Sequence, residues 1–134
     1  ARWNEAALLD TEARPFTPDA SELPENLPQL AGPPGSERAV TEMYRALAER
    51  LQASAFPLQG LAQDARGEWT ARTSAGVDLR FGREDPLGKL ETLLGPAERV
   101  LKNRVSEVKD VDLRYTNGFS VGWQPPAPMT KENN

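Results

Sequence analysis

The segment 107–123, EVKDVDLRYTNGFSVGW, constrains the fold most, because it contains two strand patterns separated by a turn. Apolar and polar side chains mostly alternate from Val111 to Tyr115, and they alternate again from Phe119 to Trp123. A period of two is typical of strands that bury one face. The segment therefore predicts a β-hairpin, and the rest of the chain must supply a sheet and a core for it.

The loop of this hairpin decides which residues face each other. Asn117-Gly118 favours a two-residue type I′ turn, but that turn would put the apolar residues of the two strands on opposite faces. A three-residue loop, 116–118 with Gly118 in the left-handed region, gives one apolar face, and we predict this loop. The predicted pairs are Tyr115 with Phe119, Leu113 with Val121, and Val111 with Trp123. The other face would carry Asp112, Arg114, Ser120 and Gly122, with bare backbone at Gly122.

The residues after the hairpin indicate that 119–123 is the last strand. Pro125, Pro126 and Pro128 lack the amide donors that a further strand would need. We therefore predict one folded domain over 1–124 and a disordered, proline-rich polar tail over 125–134. The free side of the last strand has two interpretations: an earlier element of the chain covers it, or it accepts a strand of another protein.

Composition excludes several classes of function. The 134 residues suffice for one domain, and 16 basic against 20 acidic residues leave a net charge of −4, which argues against nucleic acid and anionic membrane surfaces as partners. Cysteine and histidine are absent, which excludes Ser-His and Cys-His catalysis and ordinary zinc sites. No cofactor is predicted.

Two acidic pairs are the remaining candidates for acid-base chemistry. Asp85, next to Glu84, is better explained as a helix cap before Pro86, and Asp110 and Asp112 lie two apart on a strand that exposes them. We therefore predict that the domain is not an enzyme.

The remaining elements are a short hairpin over 1–18, an extended proline-rich connector over 18–35, and an amphipathic helix from the N-cap Ser36 to Ala53. A strand over 58–64 follows, and its turn at 65–67 leaves the register open. A hairpin over 68–81 has the loop Ser74-Ala75-Gly76, which sets Trp69, Ala71 and Thr73 opposite Phe81, Leu79 and Val77.

A helix begins at Asp85-Pro86 and stops at Gly95-Pro96, and a short second helix over 97–104 is possible. The fold class predicted from these elements is α+β. It consists of an antiparallel sheet, a meander of hairpins, with two or three helices packed on one face.

Three stretches resemble the periplasmic part of the bacterial FtsQ/DivIB family of cell-division proteins. They are DVDLRYTNGFSVGW at 110–123, VDLRFGREDPLGKL at 77–90 and ARWNEAALLDTEARPF at 1–16. The resemblance covers the chain apart from its tail and implies the family's β domain, without the cytoplasmic tail, transmembrane helix and POTRA domain that precede it. It also implies a single-pass protein whose β domain lies on the periplasmic face of the inner membrane at the division septum.

The family resemblance implies a non-enzymatic scaffold of the divisome that binds the FtsB–FtsL subcomplex, chiefly through a strand of FtsB added at the last strand. It would help to assemble and regulate septal peptidoglycan synthesis, together with other divisome proteins. The positions that match the family's contact residues are Arg66, Arg114, Tyr115, Asn117, Gly118, Gly122 and Trp123. Asn117 and Gly67 differ from the serine and the arginine found there in some members.

The backbone of Phe119, Ser120 and Val121 would add hydrogen bonds that do not depend on the partner's sequence. Arg66 and Arg114 are candidates for carboxylates of the partner. Tyr115 and Trp123 have two interpretations, core residues or partner anchors. An alternative function, a periplasmic peptidoglycan- or glycan-binding module, rests on the three tryptophans.

Overall fold

A computed structural model describes residues 2–4, 7–9, 15–16, 27–115 and 118–124. Within these ranges, nine strands form one sheet in the order β3-β2-β1-β4-β5-β6-β7-β8-β9. The strands are β1 Arg2–Trp3, β2 Ala7–Leu9, β3 Pro15–Phe16, β4 Gln29–Ala31, β5 Leu58–Gln63, β6 Trp69–Thr73, β7 Asp78–Gly82, β8 Val108–Asp112 and β9 Ser120–Trp123. The predicted tail over 125–134 lies outside the described residues and stays a prediction.

The sheet is mixed, so the prediction of a purely antiparallel meander is wrong. β5, β6 and β7 form an antiparallel meander, as do β1, β2 and β3, but β4 is parallel to both β1 and β5, and β7 is parallel to β8. Parallel neighbours need a long crossover connection, which is usually helical. The two helical segments that the described residues form lie in such connections, between β4 and β5 and between β7 and β8.

The first helix, α1, spans Glu37–Leu51. It begins directly after Ser36, as predicted, but the Ser36 hydroxyl donates a 2.6 Å hydrogen bond to the Pro33 carbonyl and caps no helix amide. Val40, Leu47 and Leu51 are fully buried, which confirms the predicted apolar stripe.

The second helical segment is α2, Leu90–Thr92, continued by a π-helical turn, Leu93–Ala97, and by α3, Glu98–Leu101. The prediction that Gly95-Pro96 stops the helix is therefore wrong: a wider turn accommodates Pro96, which has no amide to donate. The prediction that a helix begins at Asp85-Pro86 is also wrong, because α2 begins at Leu90. Asp85 instead closes the turn before α2, where its carboxylate accepts a 3.0 Å bond from the Gly88 amide. A short 3₁₀ turn, Val105–Glu107, precedes β8. Among the described residues, none of the helices has the length and apolarity needed to cross a bilayer.

Both helical segments pack on the same face of the sheet, as predicted. The register aligns one row of core residues across six strands: Leu30, Leu61, Ala71, Leu79, Val111 and Val121. Buried residues of α1, α2 and α3 join this row in a single cluster. The Glu98 carboxylate ties α3 to the segment between α1 and β5 by accepting a 2.7 Å bond from the Ala55 amide. The opposite face of the sheet carries the polar residues of β6 to β9.

The prediction for the connector in the N-terminal region is wrong in one respect. The hairpin predicted over 1–18 is present as β1, β2 and β3 among the described residues, but the connector predicted over 18–35 contains a strand, β4. Leu30 in β4 is buried between β1 and β5. A three-residue strand between prolines has too few positions to show a period of two, and its pairing partners are distant in sequence.

The hairpin of β6 and β7 forms nearly as predicted. Ala71 pairs with Leu79, and Gly76 has the left-handed φ of +87° that the three-residue loop requires. Trp69 pairs with Gly82 instead of Phe81, because a bulge follows Trp69. The register that the sequence left open between β5 and β6 pairs Gln63 with Trp69 across a loop closed by Asp64 and Glu68.

Candidate protein-binding edge

β9 is the terminal strand of the sheet and pairs on one side only, with β8. The Gln124 amide donates a 2.8 Å bond to the Glu107 carbonyl, so the backbone groups of residue 124 point toward β8. Because these groups alternate along a strand, those of Ser120 and Gly122 also point toward β8, and those of Val121 and Trp123 point outward. Within the described ranges, no strand pairs with these outward groups. We call this side of the strand the β9 edge.

The register of the β8–β9 hairpin differs from the prediction by two residues. Val111 pairs with Val121 and Asp112 with Ser120, so the predicted pairing of Val111 with Trp123 is wrong. Val108 pairs with Trp123, and the pairing shifts between Val108 and Asp110. A shift of two residues keeps Val111 and Val121 on the core face, so the predicted division into an apolar and a polar face survives.

The cause of the shift is the side chain of Asp112. Its Oδ1 accepts hydrogen bonds from the Arg114 amide at 3.0 Å and from Arg114 Nε at 2.9 Å, and its Oδ2 accepts a third from Arg114 Nη2 at 2.7 Å. These bonds turn the chain away from β9 after Asp112. Leu113 donates its amide to the Arg80 carbonyl at 2.8 Å and so stays bonded to β7. The pairing of β8 with β9 therefore ends at Asp112, three residues before the predicted last pair at Tyr115.

The same ion pair dominates the electrostatics of this end of the sheet. The hydrogen bonds from the Arg114 side chain hold the pKa of the Asp112 carboxyl below its usual value, against the opposing effect of burial. The bond to Asp112 raises the pKa of Arg114 in turn. Arg114, predicted to meet a carboxylate of a partner, therefore already has one within the domain. The bonds to Asp112 use two of the five N–H donors of the Arg114 guanidinium.

Both predicted apolar anchors are exposed. Tyr115 is 56% exposed and precedes the strand, whereas Trp123, at its end, is 42% exposed. The prediction that both lie on the inner face is therefore wrong for Tyr115 and only partly right for Trp123. Arg104 covers the Trp123 ring, with the guanidinium carbon 4.4 Å from the ring centre. Phe119 and Val121, between the two aromatic residues, are half-buried and pack on the core.

Arg66 lies in the turn between β5 and β6, where its amide donates a 2.9 Å bond to Asp64 Oδ1. The hydrogen bonds from Glu68 and Arg66 lower the pKa of Asp64. This turn lies at the same end of the sheet as Arg114, because Gln63 pairs with Trp69 and Trp69 with Gly82, next to the Arg114 side chain. The structure thus brings the two predicted arginines to the end of the sheet at which β9 begins.

Gly118 is half-buried just before β9. Its φ is not positive, so the prediction that Gly118 adopts the left-handed conformation is wrong. Asn117 lies outside the described residues, and so does the prediction that it contacts a partner.

The prediction of bare backbone at Gly122, on the polar face of the hairpin, is wrong. A β-carbon at this position would lie 2.6 Å from Asp110 Oδ1, so the Asp110 carboxylate occupies the space that a side chain would take. The backbone of Gly122 is therefore not bare on this face. Sequence reasoning missed Asp110 as a residue of this edge. It missed Arg104 as well, for which no sequence signal exists. The prediction that the strand exposes Asp110 and Asp112 is wrong for Asp112, which is buried, and the Asp110 side chain is only 19% exposed.

A family model and individual relatives all indicate the same family for this chain. The family model described as Cell division protein FtsQ/DivIB, C-terminal, matches residues 1–121. The cell division protein FtsQ of Escherichia coli is 31% identical over 140 residues, which cover 100% of this chain and 51% of the relative. The FtsQ of Allochromatium vinosum is 33% identical over 125 residues, 93% of this chain and 50% of the relative. The chain thus spans about half the length of these relatives.

Proposed function

Because this chain belongs to the FtsQ/DivIB family of cell-division proteins, we propose that its β9 edge binds a strand of FtsB and thereby holds the FtsB–FtsL subcomplex. The family consists of non-enzymatic divisome proteins, and the domain acts as a scaffold that helps to assemble and regulate septal peptidoglycan synthesis. Its place is the periplasmic face of the inner membrane at the septum, in a longer protein anchored by an N-terminal helix.

The observation that carries this proposal is the orientation of the backbone in β9. Val121 and Trp123 direct their N–H and C=O groups away from β8, and no described residue pairs with them. An added strand would hydrogen-bond to these groups whatever its sequence. The strand has no charged residue of its own, although charge is a common means of preventing unwanted pairing at a sheet edge.

Side chains around the β9 edge would select the partner. Tyr115, which precedes β9 in the chain, and Trp123, at the end of β9, are 56% and 42% exposed. Aromatic residues are enriched among the residues that dominate binding energies. Arg66 is exposed in its turn and makes no ion pair with a described residue, so it is the better candidate for a carboxylate of the partner. Arg114 would contribute through the guanidinium N–H groups that Asp112 leaves free.

The test is a proline substitution that separates the two sides of β9. Val121→Pro removes an outward amide, and we expect loss of binding to an FtsB periplasmic peptide with the fold retained, because prolines are tolerated where the missing amide faces solvent. Val121→Ala is the matched control: it shortens the same side chain, keeps the amide and should bind nearly as well as the parent domain. Ser120→Pro removes an inward amide instead and should lower the free energy of unfolding.

Binding is measured by titration calorimetry and folding by circular dichroism, on the domain alone. Equal affinity of Val121→Pro and Val121→Ala would refute strand addition at β9. A change in affinity that follows the unfolding temperature of each variant would also count against it.

The structure offers little support for a glycan-binding surface. Such surfaces stack sugar rings on exposed aromatic residues, and Trp3 and Trp69 are buried in the core at 6% and 7% exposure. Saturable binding of muropeptides at micromolar protein would nevertheless revive that function.

A further inference from the structure

The Asp110 carboxylate lies over the backbone of Gly122, on the polar face of the sheet and beside the β9 edge. The two residues are directly paired, and a β-carbon on Gly122 would lie 2.6 Å from Asp110 Oδ1 and 3.0 Å from Oδ2. Any other residue at position 122 would displace this carboxylate. Because position 122 is glycine, the carboxylate of Asp110, a residue of β8, can lie over the backbone of the edge strand β9.

Asp110 is also the least neutralised of the three acidic residues on this face. Asp112 receives hydrogen bonds from Arg114 at 2.9 and 2.7 Å, and Asp78 accepts one from Arg72 at 3.2 Å. Among the described residues, Asp110 pairs with one cation, Arg80, whose Nη2 lies 3.7 Å from Oδ2, beyond hydrogen-bonding distance. Its neighbour in β7 is Asp78, so the residue directly beside it carries the same charge.

A strand added at the β9 edge would place one residue directly opposite Gly122 and on the same face. Neighbouring strands lie about 5 Å apart, and Gly122 has no side chain to separate that residue from Asp110. A long cationic side chain there can extend over Gly122 to the carboxylate, whereas an acidic side chain would meet like charge.

We infer that Asp110 is a specificity residue that selects a lysine or arginine in the incoming strand, at the position opposite Gly122. This inference rests on the proposed strand addition and specifies the chemistry of the partner. Backbone bonding at β9 holds a strand of any sequence, and Asp110 fixes which strand binds and in which register.

The experiment uses the domain and the periplasmic FtsB peptide encoded in the same genome. Each basic residue of the peptide is replaced in turn by glutamate, and each peptide is titrated against the parent domain, Asp110→Asn and Asp110→Lys. We expect one replacement to weaken binding to the parent domain about three- to tenfold, because the added strand excludes water from the ion pair that forms with Asp110. The same replacement should have little effect on Asp110→Asn, and Asp110→Lys should bind that glutamate peptide better than the parent peptide.

Asp78→Asn is the control, because Asp78 lies on the same face but one strand further from the edge and is paired with Arg72. It should bind every peptide as the parent domain does. Thermal unfolding of each variant checks that losing the Arg80 contact has not unfolded the domain.

Two failures are distinguishable. If Val121→Pro abolishes binding but Asp110→Asn and the parent domain bind all peptides alike, strand addition stands and the selection by Asp110 is refuted. A uniform loss across all peptides with Asp110→Asn refutes it as well, since a specific pair must single out one position. If Val121→Pro binds normally, strand addition itself fails and the inference fails with it.

Discussion

The β6–β7 and β8–β9 hairpins have the same type of loop sequence and different geometries. Each has three residues ending in glycine between two alternating runs, Ser74-Ala75-Gly76 in the first and Thr116-Asn117-Gly118 in the second. The first pairs Ala71 with Leu79 as the loop length predicts, whereas the second pairs its strands two residues away from the predicted register.

Local bonding explains the regular hairpin. The Thr73 amide donates to the Val77 carbonyl at 2.9 Å, and the Val77 amide donates to Thr73 Oγ1 at 3.0 Å. Gly76 supplies the left-handed residue between them. The loop and the two strands therefore favour the same register.

In the β8–β9 hairpin, a side chain competes with the strand pairing. Asp112 accepts the Arg114 amide and guanidinium, and Leu113 bonds to β7, so the chain leaves β9 at Asp112. Asp and Asn side chains commonly bond to backbone amides two residues on, and thereby offer the chain an alternative to the ladder. The comparison teaches that a loop motif determines register only where no adjacent side chain offers such an alternative.

The largest expected difference between the hairpins lies in their cores. Leu79→Ala should lower the free energy of unfolding by about 2–5 kcal/mol, because Leu79 is fully buried in the middle of the sheet. Val121→Ala, at the half-buried edge, should cost about 1 kcal/mol. Urea denaturation measures both. Equal losses would show that β9 is packed as firmly as β7 and would remove the distinction.

The next test concerns the regular loop. Gly76→Ala should cost about 1–2 kcal/mol, because φ is +87° there and alanine is strained in the left-handed region. Space is not the cause, since the nearest atom to the new β-carbon is Arg72 Nη2 at 3.9 Å. Ala75→Ser, in the same loop and at an ordinary φ, should stay within about 0.5 kcal/mol. A neutral Gly76→Ala would mean that the loop does not hold the register of β6 and β7.

Asp112→Asn tests the irregular β8–β9 hairpin. It should cost about 1 kcal/mol at neutral pH, because the charged acceptor for Arg114 is lost. The folded pKa of Asp112 lies below its unfolded value of about 4, so its stabilising effect is complete above that value and is lost as the pH falls through the folded pKa. The stability difference between parent and variant should therefore be constant from pH 7 to about 4 and shrink below.

Chemical denaturation across this pH range gives the measurement, with Asp78→Asn as a control for an exposed ion pair. A difference that stayed constant in strong acid would contradict the role assigned to Asp112.

The smallest expected effect is at the far end of β9. Arg104→Gln should cost about 0.5 kcal/mol and alter the fluorescence of Trp123, because the guanidinium carbon lies 4.4 Å from the ring centre. Lys102→Gln, an exposed cation just after α3, should change neither quantity. Identical spectra for Arg104→Gln and the parent domain would indicate that the ring is not covered in solution.

Much of the fold could be predicted, because several elements have clear local patterns. The apolar stripe of α1, the alternation of β6 and β7, and the glycine of their loop are all visible within fewer than twenty residues. β4 and the parallel pairs were missed because their pairing partners lie far along the chain. Strand, helix and strand in succession favour a parallel crossover as well as a meander.

The candidate edge was predicted only partially. Prolines at 125, 126 and 128 indicate that β9 is the last strand in the sequence, and the sheet order places it last in space as well. Which amides point outward depends on register, and the register depended on Asp112. The approach of Asp110 to Gly122 follows from the same shift, since the predicted register would have paired Gly122 with Asp112.

The amino-acid sequence of 107–123 is sufficient to predict a hairpin with one apolar and one polar face, because apolar and polar side chains alternate with a period of two. A slide of two residues leaves every side chain on the same face, so this prediction does not depend on the exact register. Only the tertiary structure decided how far the strands slide along each other, and therefore which groups β9 leaves unpaired. That choice depended on the bond from Leu113 to β7 and on the ion pair of Asp112 with Arg114. The bond from Leu113 exists only once β7 lies beside β8, and no local pattern specifies that neighbour.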